Sequence, residues 1–440
     1  MILATHRRFR LTEFFVLYAL QGLIAGYSMT ALLNAFAASG VSVGELGKFG
    51  AIIGIPWVLQ FFWGPVVDLL PNFAMGRRRF WVVVSLIASN LVLFGLFFVQ
   101  PRAENLYLIA GIFFCHSVFA SLLDVAADGL IVDQVPSSEA GLVSAMTRGG
   151  FVSGTCLSGA LFSWTLTHWG HQATIASLLA ASLLASVIPF LGRESTSDSW
   201  LSLKLHAGEE FERRQKRKKS PRLFARVLWL RMRQWNAGLL LLISFLLNFG
   251  FGAFALHYNA DVVQNRGWTD LELSRLQSIA GFVTGTVGSF AIGWLCDKLD
   301  FRRILGGLMF LSALMFAAYA TVSTPSHAMM WWMVVFLILA PGLFFVAIVP
   351  AVMAMSRGVL AATIFTLFMT CMNLGSIVGG TYAEAIFKAL DIREVSMIGA
   401  LSLVLLTGLT SLLAHRTYGA RQAPDSHESQ PQLVTELKRA

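Results

Sequence analysis

Long apolar stretches alternate with short polar breaks along almost the whole chain. Twelve of them have about the length, roughly 20 residues, that a helix needs to cross some 30 Å of hydrocarbon. Six precede a polar stretch and six follow it. The predicted helices lie at 12–38, 46–70, 79–99, 105–134, 138–168, 173–191, 236–264, 271–296, 302–322, 328–355, 359–386 and 393–415. The pattern therefore predicts an all-α polytopic membrane protein with twelve transmembrane helices.

Composition agrees with a membrane protein and excludes a soluble one. Of the 440 residues, 56% are hydrophobic and 13% are charged, and the mean hydropathy is +0.67. About a quarter of the residues of a soluble domain are charged, so lipid must solvate most of this surface. The four cysteines lie far apart and form no CxxC pair. The sequence predicts neither a metal site nor a cofactor.

Lysine and arginine are distributed unevenly between the two ends of the predicted helices. With the N-terminus inside the cell, 26 of the 33 lie in cytoplasmic segments, six lie outside and Arg148 lies within a helix. Because basic residues accumulate in cytoplasmic loops, both termini are predicted to be cytoplasmic. The same asymmetry explains the net charge of +9 without a nucleic-acid partner.

The chain divides into four segments. They are an N-terminal bundle over 1–191, a basic cytoplasmic linker over 192–235, a C-terminal bundle over 236–415 and a disordered tail over 416–440. Within the linker, a charged run at 209–219 precedes Ser220-Pro221, where a helix is expected to begin. Basic and apolar residues then alternate at helical spacing, which is typical of a helix on the anionic inner leaflet. Binding of a regulatory protein is the alternative.

A short motif occurs once in each half of the chain. The first copy comprises Gly64, Asp68, Arg77, Arg78 and Arg79, and the second Gly293, Asp297, Lys298, Arg302 and Arg303. Glycine lets helices approach, and an aspartate at a helix end can bind both a neighbouring helix N-terminus and the basic loop. We predict a lock on the cytoplasmic side that breaks when the protein opens inward. Topogenic charge alone would explain the arginines but not the repeated Gly-x-x-x-Asp.

The repeated motif resembles the loop signature of the major facilitator superfamily, and the resemblance covers essentially the whole chain. It implies two pseudo-symmetric six-helix bundles around a central cavity, with alternating access. The stretch LLDVAADGLIVDQVPSSEAGLVSAMTRGGFVSG at 122–154 is similar to a branch that contains muropeptide permeases, acetyl-CoA transporter-like proteins and siderophore importers. Asp124, Asp128, Asp133, Pro136, Glu139 and Gly141 match its pattern, whereas Leu123 and Ala140 depart from it.

Two carboxylates and a guanidinium are predicted to lie inside the membrane, where such groups are costly and usually functional. Asp124 and Asp128 share one face of the fourth helix with His116. Arg148 lies at the same depth as Asp124 on the next helix, which predicts an Asp124–Arg148 ion pair. We expect this group to bind and release a proton during transport or to gate it. The alternative is a permanent clamp between the two helices.

Neutral hydrogen-bonding residues occur in the middle of helices that line the cavity of this fold. Those expected to bind a polar solute are Gln21, Tyr27, Gln60, Asn248, Thr370 and Asn373. His257 and Asp261 lie one turn apart near the outer end of the seventh helix. They predict either a pH-sensitive gate or an ordinary pair at a helix end.

These features favour a transporter over an enzyme, because the outer loops are too short for a catalytic site. The sequence has no Walker loop, so it does not support ATP-driven pumping. The resemblance implies a bacterial inner-membrane importer, coupled to protons, whose solute is a peptidoglycan fragment. A siderophore is the alternative solute. The alternative class is a lipid-handling or sensor protein on a transporter scaffold. We expect a monomer.

Overall fold

The computed structural model describes residues 2–70, 73–200, 202, 204, 221–268, 270–358 and 360–413, and in them it has twelve long helical segments and no strand. The first bundle comprises α1 (Arg7–Ala38), α2 (Val43–Val58, continued by Gln60–Phe62 and Trp63–Leu69), α3 (Arg79–Phe98), α4 (Leu106–Gln134), α5 (Ala140–His168) and α6 (Gly170–Leu191). The second bundle comprises α7 (Trp235–Asn265), α8 (Asp270–Lys298), α9 (Phe301–Thr321), α10 (His327–Ser356), α11 (Ala361–Ala389) and α12 (Ile392–Ser411). We call the side of the protein on which Arg7 and Ser411 lie the terminal side.

The prediction of twelve helices is confirmed, with every end within five residues of its predicted position. Eleven of the described helices are long and apolar enough to cross a membrane, and α5 is the one that is less apolar. It is rich in glycine, serine and threonine because α1 and α8 cover much of its surface. A helix shielded from lipid needs close packing more than it needs large apolar side chains.

Two seams of small residues hold the bundles together internally. In the first bundle α1 packs on α5, where a Cβ added to Gly154 would overlap the carbonyl oxygen of Ala19. In the second bundle α7 packs on α11, and a Cβ at Gly379 would overlap the carbonyl oxygen of Phe249. The two seams occupy equivalent places in the two halves, as expected for pseudo-symmetric bundles.

The segment between the bundles is partly described. A helix over Pro221–Met232, here the linker helix, begins where the sequence predicts it. Residues 192–200 fold against the first bundle, with Leu3 N donating to Arg193 O and Ser199 N donating to Ala74 O. The charged run at 209–219 and the tail at 416–440 lie outside the described residues, and the predicted domain limits remain predictions.

Hydrogen bonds between the two bundles concentrate on the terminal side. Within the described part of the chain they involve the terminal ends of α2, α4, α5, α8, α10 and α11, together with one mid-depth bond between Ser153 and Thr286. The protein is therefore closed on the terminal side.

The α1–α5 seam yields a stability prediction. Gly154→Ala should force the two helices apart and lower the melting temperature in detergent, because overpacking costs about 1–3 kcal/mol. Gly111→Ala is the matched control, since a Cβ at Gly111 in α4 would have no neighbour within 4 Å. That change should preserve stability or raise it by up to about 1 kcal/mol. Equal melting temperatures for the two variants would contradict the close packing of α1 on α5 at Gly154.

Candidate functional site

Asp68, at the terminal end of α2, caps the first turn of α11 in the other bundle. Its Oδ2 accepts hydrogen bonds from Thr363 N at 2.7 Å and from Thr363 Oγ1 at 2.6 Å. A carboxylate here satisfies unpaired N–H groups and interacts favourably with the positive end of the helix dipole. Gly64, one turn earlier, permits the approach, because a Cβ at this position would lie only 2.6 Å from Thr363 Cα.

Arg78 holds the Asp68 carboxylate in place. Its Nη2 lies 2.7 Å from Asp68 Oδ1, and its Nε donates to Asp133 Oδ2 at 2.9 Å. Burial by itself would lower the pKa of the Arg78 guanidinium, but the two carboxylates hold that pKa above its ordinary value. Arg77 lies farther from Asp68, at 3.4 Å, and is more exposed. The predicted contacts of Asp68 with a helix N-terminus and with the basic loop are thus present in the first half, and Asp133 joins them; their role as a lock stays a prediction.

Asp297 forms the equivalent contact in the second half. Its two carboxylate oxygens accept hydrogen bonds from Gly141 N at 2.8 Å and Leu142 N at 2.9 Å, at the start of α5. Gly293 packs directly against Gly141, and a Cβ at Gly293 would lie 2.5 Å from that of Ala145. Each half therefore places a Gly-x-x-x-Asp segment against a helix N-terminus of the other half.

Three predicted lock arginines lie elsewhere. Arg302 Nη2 pairs with Asp300 Oδ2 at 2.6 Å, because Asp300 is the local N-cap of α9 and lies two residues away, and Arg303 is exposed. Arg79 donates to the carbonyls of Phe190 and Ser199 in its own half. The expectation that these three side chains join the lock is wrong.

Glu194, which the sequence did not single out, fixes the loop that carries the lock arginines. Its Oε1 accepts hydrogen bonds from the backbone N–H groups of Arg78 at 2.6 Å and Arg79 at 2.7 Å. Burial raises the pKa of Glu194, although the hydrogen bonds from the two backbone N–H groups act to lower that pKa. Only the fold brings the end of α6 to the start of α3, so no local signal could have identified this residue.

The α4 carboxylates face α1. The hydroxyl of Tyr18 donates a hydrogen bond to Asp128 Oδ1. One turn farther from the terminal side, Gln21 lies beside Asp124, although Gln21 Nε2 has no partner at hydrogen-bonding geometry. Tyr18 and Asp128 line a small cavity together with Thr147 of α5 and residues of α10 and α11.

The predicted Asp124–Arg148 ion pair is wrong. Arg148 lies under the ring of Phe345 in α10, with its guanidinium carbon 5.7 Å from the ring centroid. Its buried Nε has no hydrogen-bond partner. Asp124 points towards α1 whereas Arg148 points towards the second bundle, so equal depth does not bring the two charges together.

Several predicted polar residues of the first bundle lie in its packed interior. Tyr27 is fully buried between the rings of Phe113 and Phe162, and its hydroxyl has no partner among the described residues, so water does not reach it in this conformation. His116 is buried with its ring edge-on to Phe113, two to three turns from the carboxylates. Gln60 is also buried, in the short break of α2, and its Oε1 has no partner.

The candidates of the second bundle are dispersed. Asn248 Nδ2 donates to Ser244 O within α7, Thr370 Oγ1 is buried without a partner, and Asn373 is exposed. His257 stacks on Phe387 at 3.7 Å, while Asp261 accepts from Arg266 Nε at 3.0 Å. Asp261 thus pairs with Arg266 rather than with His257. No group of three His, Cys, Asp or Glu side chains in the described ranges is arranged to hold a metal ion.

Comparison with known proteins gives a consistent family. The sequence profile of the Major Facilitator Superfamily matches residues 14–380 and 240–440. An anhydromuropeptide permease of Escherichia coli is 24% identical over 351 residues, which cover 77% of this chain and 67% of the permease. A folate-biopterin transporter of Synechocystis is 23% identical over 429 residues, 93% of this chain and 81% of that protein.

Solved structures share the fold. The fucose–proton symporter of Escherichia coli superposes with a TM-score of 0.65 at 15% sequence identity, covering 92% of this chain and 98% of the symporter. The human organic anion transporter TETRAN superposes with a TM-score of 0.59 at 13% identity, covering 91% and 98%.

The two carboxylate caps generate a prediction about conformation. Asp68→Asn and Asp297→Asn should each shift the protein towards opening on the terminal side, because the amide keeps a capping oxygen but loses the negative charge at the helix N-terminus, which contributes about 0.3–1 kcal/mol. Spin-label distances across the terminal side would measure the open fraction. Asp300→Asn is the matched control, since the Arg302 pair of Asp300 lies within one bundle. An unchanged distance distribution in the double variant Asp68→Asn/Asp297→Asn would contradict the locking role.

Proposed function

The chain belongs to the major facilitator superfamily of membrane transporters, and on that premise we propose that it imports a polar organic solute together with protons by alternating access. Family and fold point to transport rather than to catalysis. The observation that carries the proposal is a buried Asp128–Tyr18 pair beside a cavity that also contacts the second bundle. A titratable group placed between two moving bundles can couple its protonation to their movement.

The distribution of contacts supports import. The bundles are joined on the terminal side by the Asp68 and Asp297 caps. The excess of lysine and arginine on that side predicts that it faces the cytoplasm. A solute would therefore enter from outside the cell and approach Asp124 and Arg148 from the side opposite the two caps.

The proton pathway follows from the same geometry. Asp124 is half-buried and Asp128, one turn deeper, is buried. Protons would enter through Asp124 and reach Asp128, where Tyr18 donates to the ionised carboxylate. Opening on the terminal side would then expose Asp128 to the cytoplasm, where its proton is released.

For the solute we propose a peptidoglycan fragment of the anhydromuropeptide type. The support is the permease relative, whose name gives this solute. The folate-biopterin relative covers more of the chain at similar identity and makes a pterin the second candidate. The siderophore alternative remains a prediction that none of these relatives favours.

We further propose the inner membrane of a bacterium as the location and a monomer as the working unit. The linker helix would lie on the anionic inner leaflet. Its large apolar side chains Trp229 and Leu230 are 65% and 51% exposed, as expected for a helix that partitions into the interface. Arg226 and Arg231 of the same helix would contact lipid phosphates.

Vesicle uptake tests both solute and coupling. Right-side-out vesicles should accumulate radiolabelled anhydromuropeptide when the outside is acidic, and a folate and a ferric siderophore would be compared in parallel. Asp128→Asn should lower proton-driven accumulation by about tenfold or more, since an amide cannot bind the proton. Exchange of labelled for unlabelled solute across the membrane should continue in this variant. Glu104→Gln is the control, because Glu104 is an exposed loop residue paired only weakly with Arg102.

Two outcomes would contradict this proposal. Accumulation that is equal in Asp128→Asn and wild type would remove Asp128 from proton coupling. If none of the three solutes is accumulated, the substrate proposal fails, and a lipid-handling or sensor role becomes the better hypothesis.

A further inference from the structure

Arg148 is an isolated cation in the middle of a membrane-spanning helix. Within the described part of the chain it makes no ion pair and no hydrogen bond, and its contacts are the Phe345 ring and the backbone near Gly342. A guanidinium has five N–H donors and no acceptor atom of its own, so only acceptors from other groups can satisfy those donors. An unpaired charge inside a protein or a membrane costs several kcal/mol, so this arrangement indicates a missing partner.

The position of Arg148 makes that partner a solute rather than another side chain. Arg148 lies on the face of α5 that meets α10 of the second bundle. One turn closer to the terminal side, Ser144 Oγ donates to Val346 O at 3.3 Å across the bundles. On the side of α5 that faces α10, Arg148 therefore lies one turn beyond this hydrogen bond, while the Ser153–Thr286 bond holds α5 against α8 at greater depth.

A glycine of α10 lies beside the guanidinium. Gly342 of α10 has no side chain, and a Cβ there would lie 3.5 Å from Arg148 Nε, in ordinary contact. A longer side chain would occupy the space next to the donors. Phe345 lies over one face of the guanidinium, so an acceptor would have to approach in the plane of the N–H groups.

We propose that Arg148 binds one carboxylate of the transported solute, so that the substrate class of this transporter is a polar organic acid. A planar carboxylate matches the guanidinium fork with two parallel hydrogen bonds. A phosphate dianion fits less well, because a single cation would face two negative charges in addition to Asp124 and Asp128. The inference rests on the proposed transport function and deepens it by naming the recognised group.

A binding assay with matched solutes tests the inference. Purified protein in nanodiscs would be titrated with N-acetylmuramic acid and with N-acetylglucosamine, which lacks the lactyl carboxylate, and with lactate and lactamide as a smaller pair. Wild type should bind each acid more tightly than its neutral counterpart. Arg148→Gln should remove that difference, a loss of about tenfold or more for a charge-assisted pair, and Arg148→Lys should retain part of it.

Glycine variants test the space beside the guanidinium. Gly342→Ala should bind acids nearly normally and Gly342→Leu should not. Arg303→Gln is the charge control, since Arg303 is exposed.

Without ligand, Arg148→Met should have a melting temperature no lower than that of wild type, because the charge that it removes has no partner among the described residues. A clear fall in its melting temperature, or acids that bind no better than neutral solutes to wild type, would overturn the inference.

Transport separates this inference from the substrate proposal. If acids bind through Arg148 but anhydromuropeptide is not accumulated, the substrate proposal fails and the carboxylate site stands. If Arg148→Gln accumulates anhydromuropeptide as wild type does, the site fails and the substrate proposal stands.

Discussion

A carboxylate at the N-terminus of a helix in the opposite bundle is the interaction on which this conformation depends. Asp68 satisfies the first turn of α11 and Asp297 that of α5. In an apolar environment an uncapped helix start leaves several N–H groups without acceptors, and each costs free energy. When the bundles separate, water must replace both carboxylates. Opening on the terminal side is therefore tied to hydration of that side.

The capped helices are also the helices of the two internal seams. α5 packs on α1 through Gly154, and α11 packs on α7 through Gly379. A displacement of a capped helix start is thus transmitted to a second helix by backbone contacts that allow little compression. Because α1 carries Tyr18 and Gln21, movement at the Asp297 cap reaches the carboxylates of α4 through α5 and α1. The two caps and the α4 carboxylates are linked by packing rather than by a chain of hydrogen bonds.

The sequence predicted the helix positions and the two Gly-x-x-x-Asp contacts well, because hydrophobic length and the Gly-x-x-x-Asp spacing act locally. It failed where the direction of a side chain matters. Depth along two helices placed Asp124 and Arg148 at one level, but rotation about each helix axis turns them to different neighbours. Tyr27 is similarly at mid-depth yet inside the bundle. Arg302 pairs with Asp300, two residues away. Glu194 contacts the backbone of Arg78 and Arg79 only because the tertiary fold brings the end of α6 to the start of α3.

The separation of Arg148 from the carboxylates has an electrostatic consequence. With Asp124 and Asp128 ionised and Arg148 charged, the interior of the transport path carries one excess negative charge. A bound carboxylate would add a second, in surroundings where charge is poorly solvated. Binding of the proposed anion would therefore favour uptake of protons by the α4 carboxylates, and release of the anion would favour their loss. An Asp124–Arg148 ion pair would neutralise both groups and remove this dependence, so charges on different faces would let the proposed binding of an anionic solute and of protons reinforce each other.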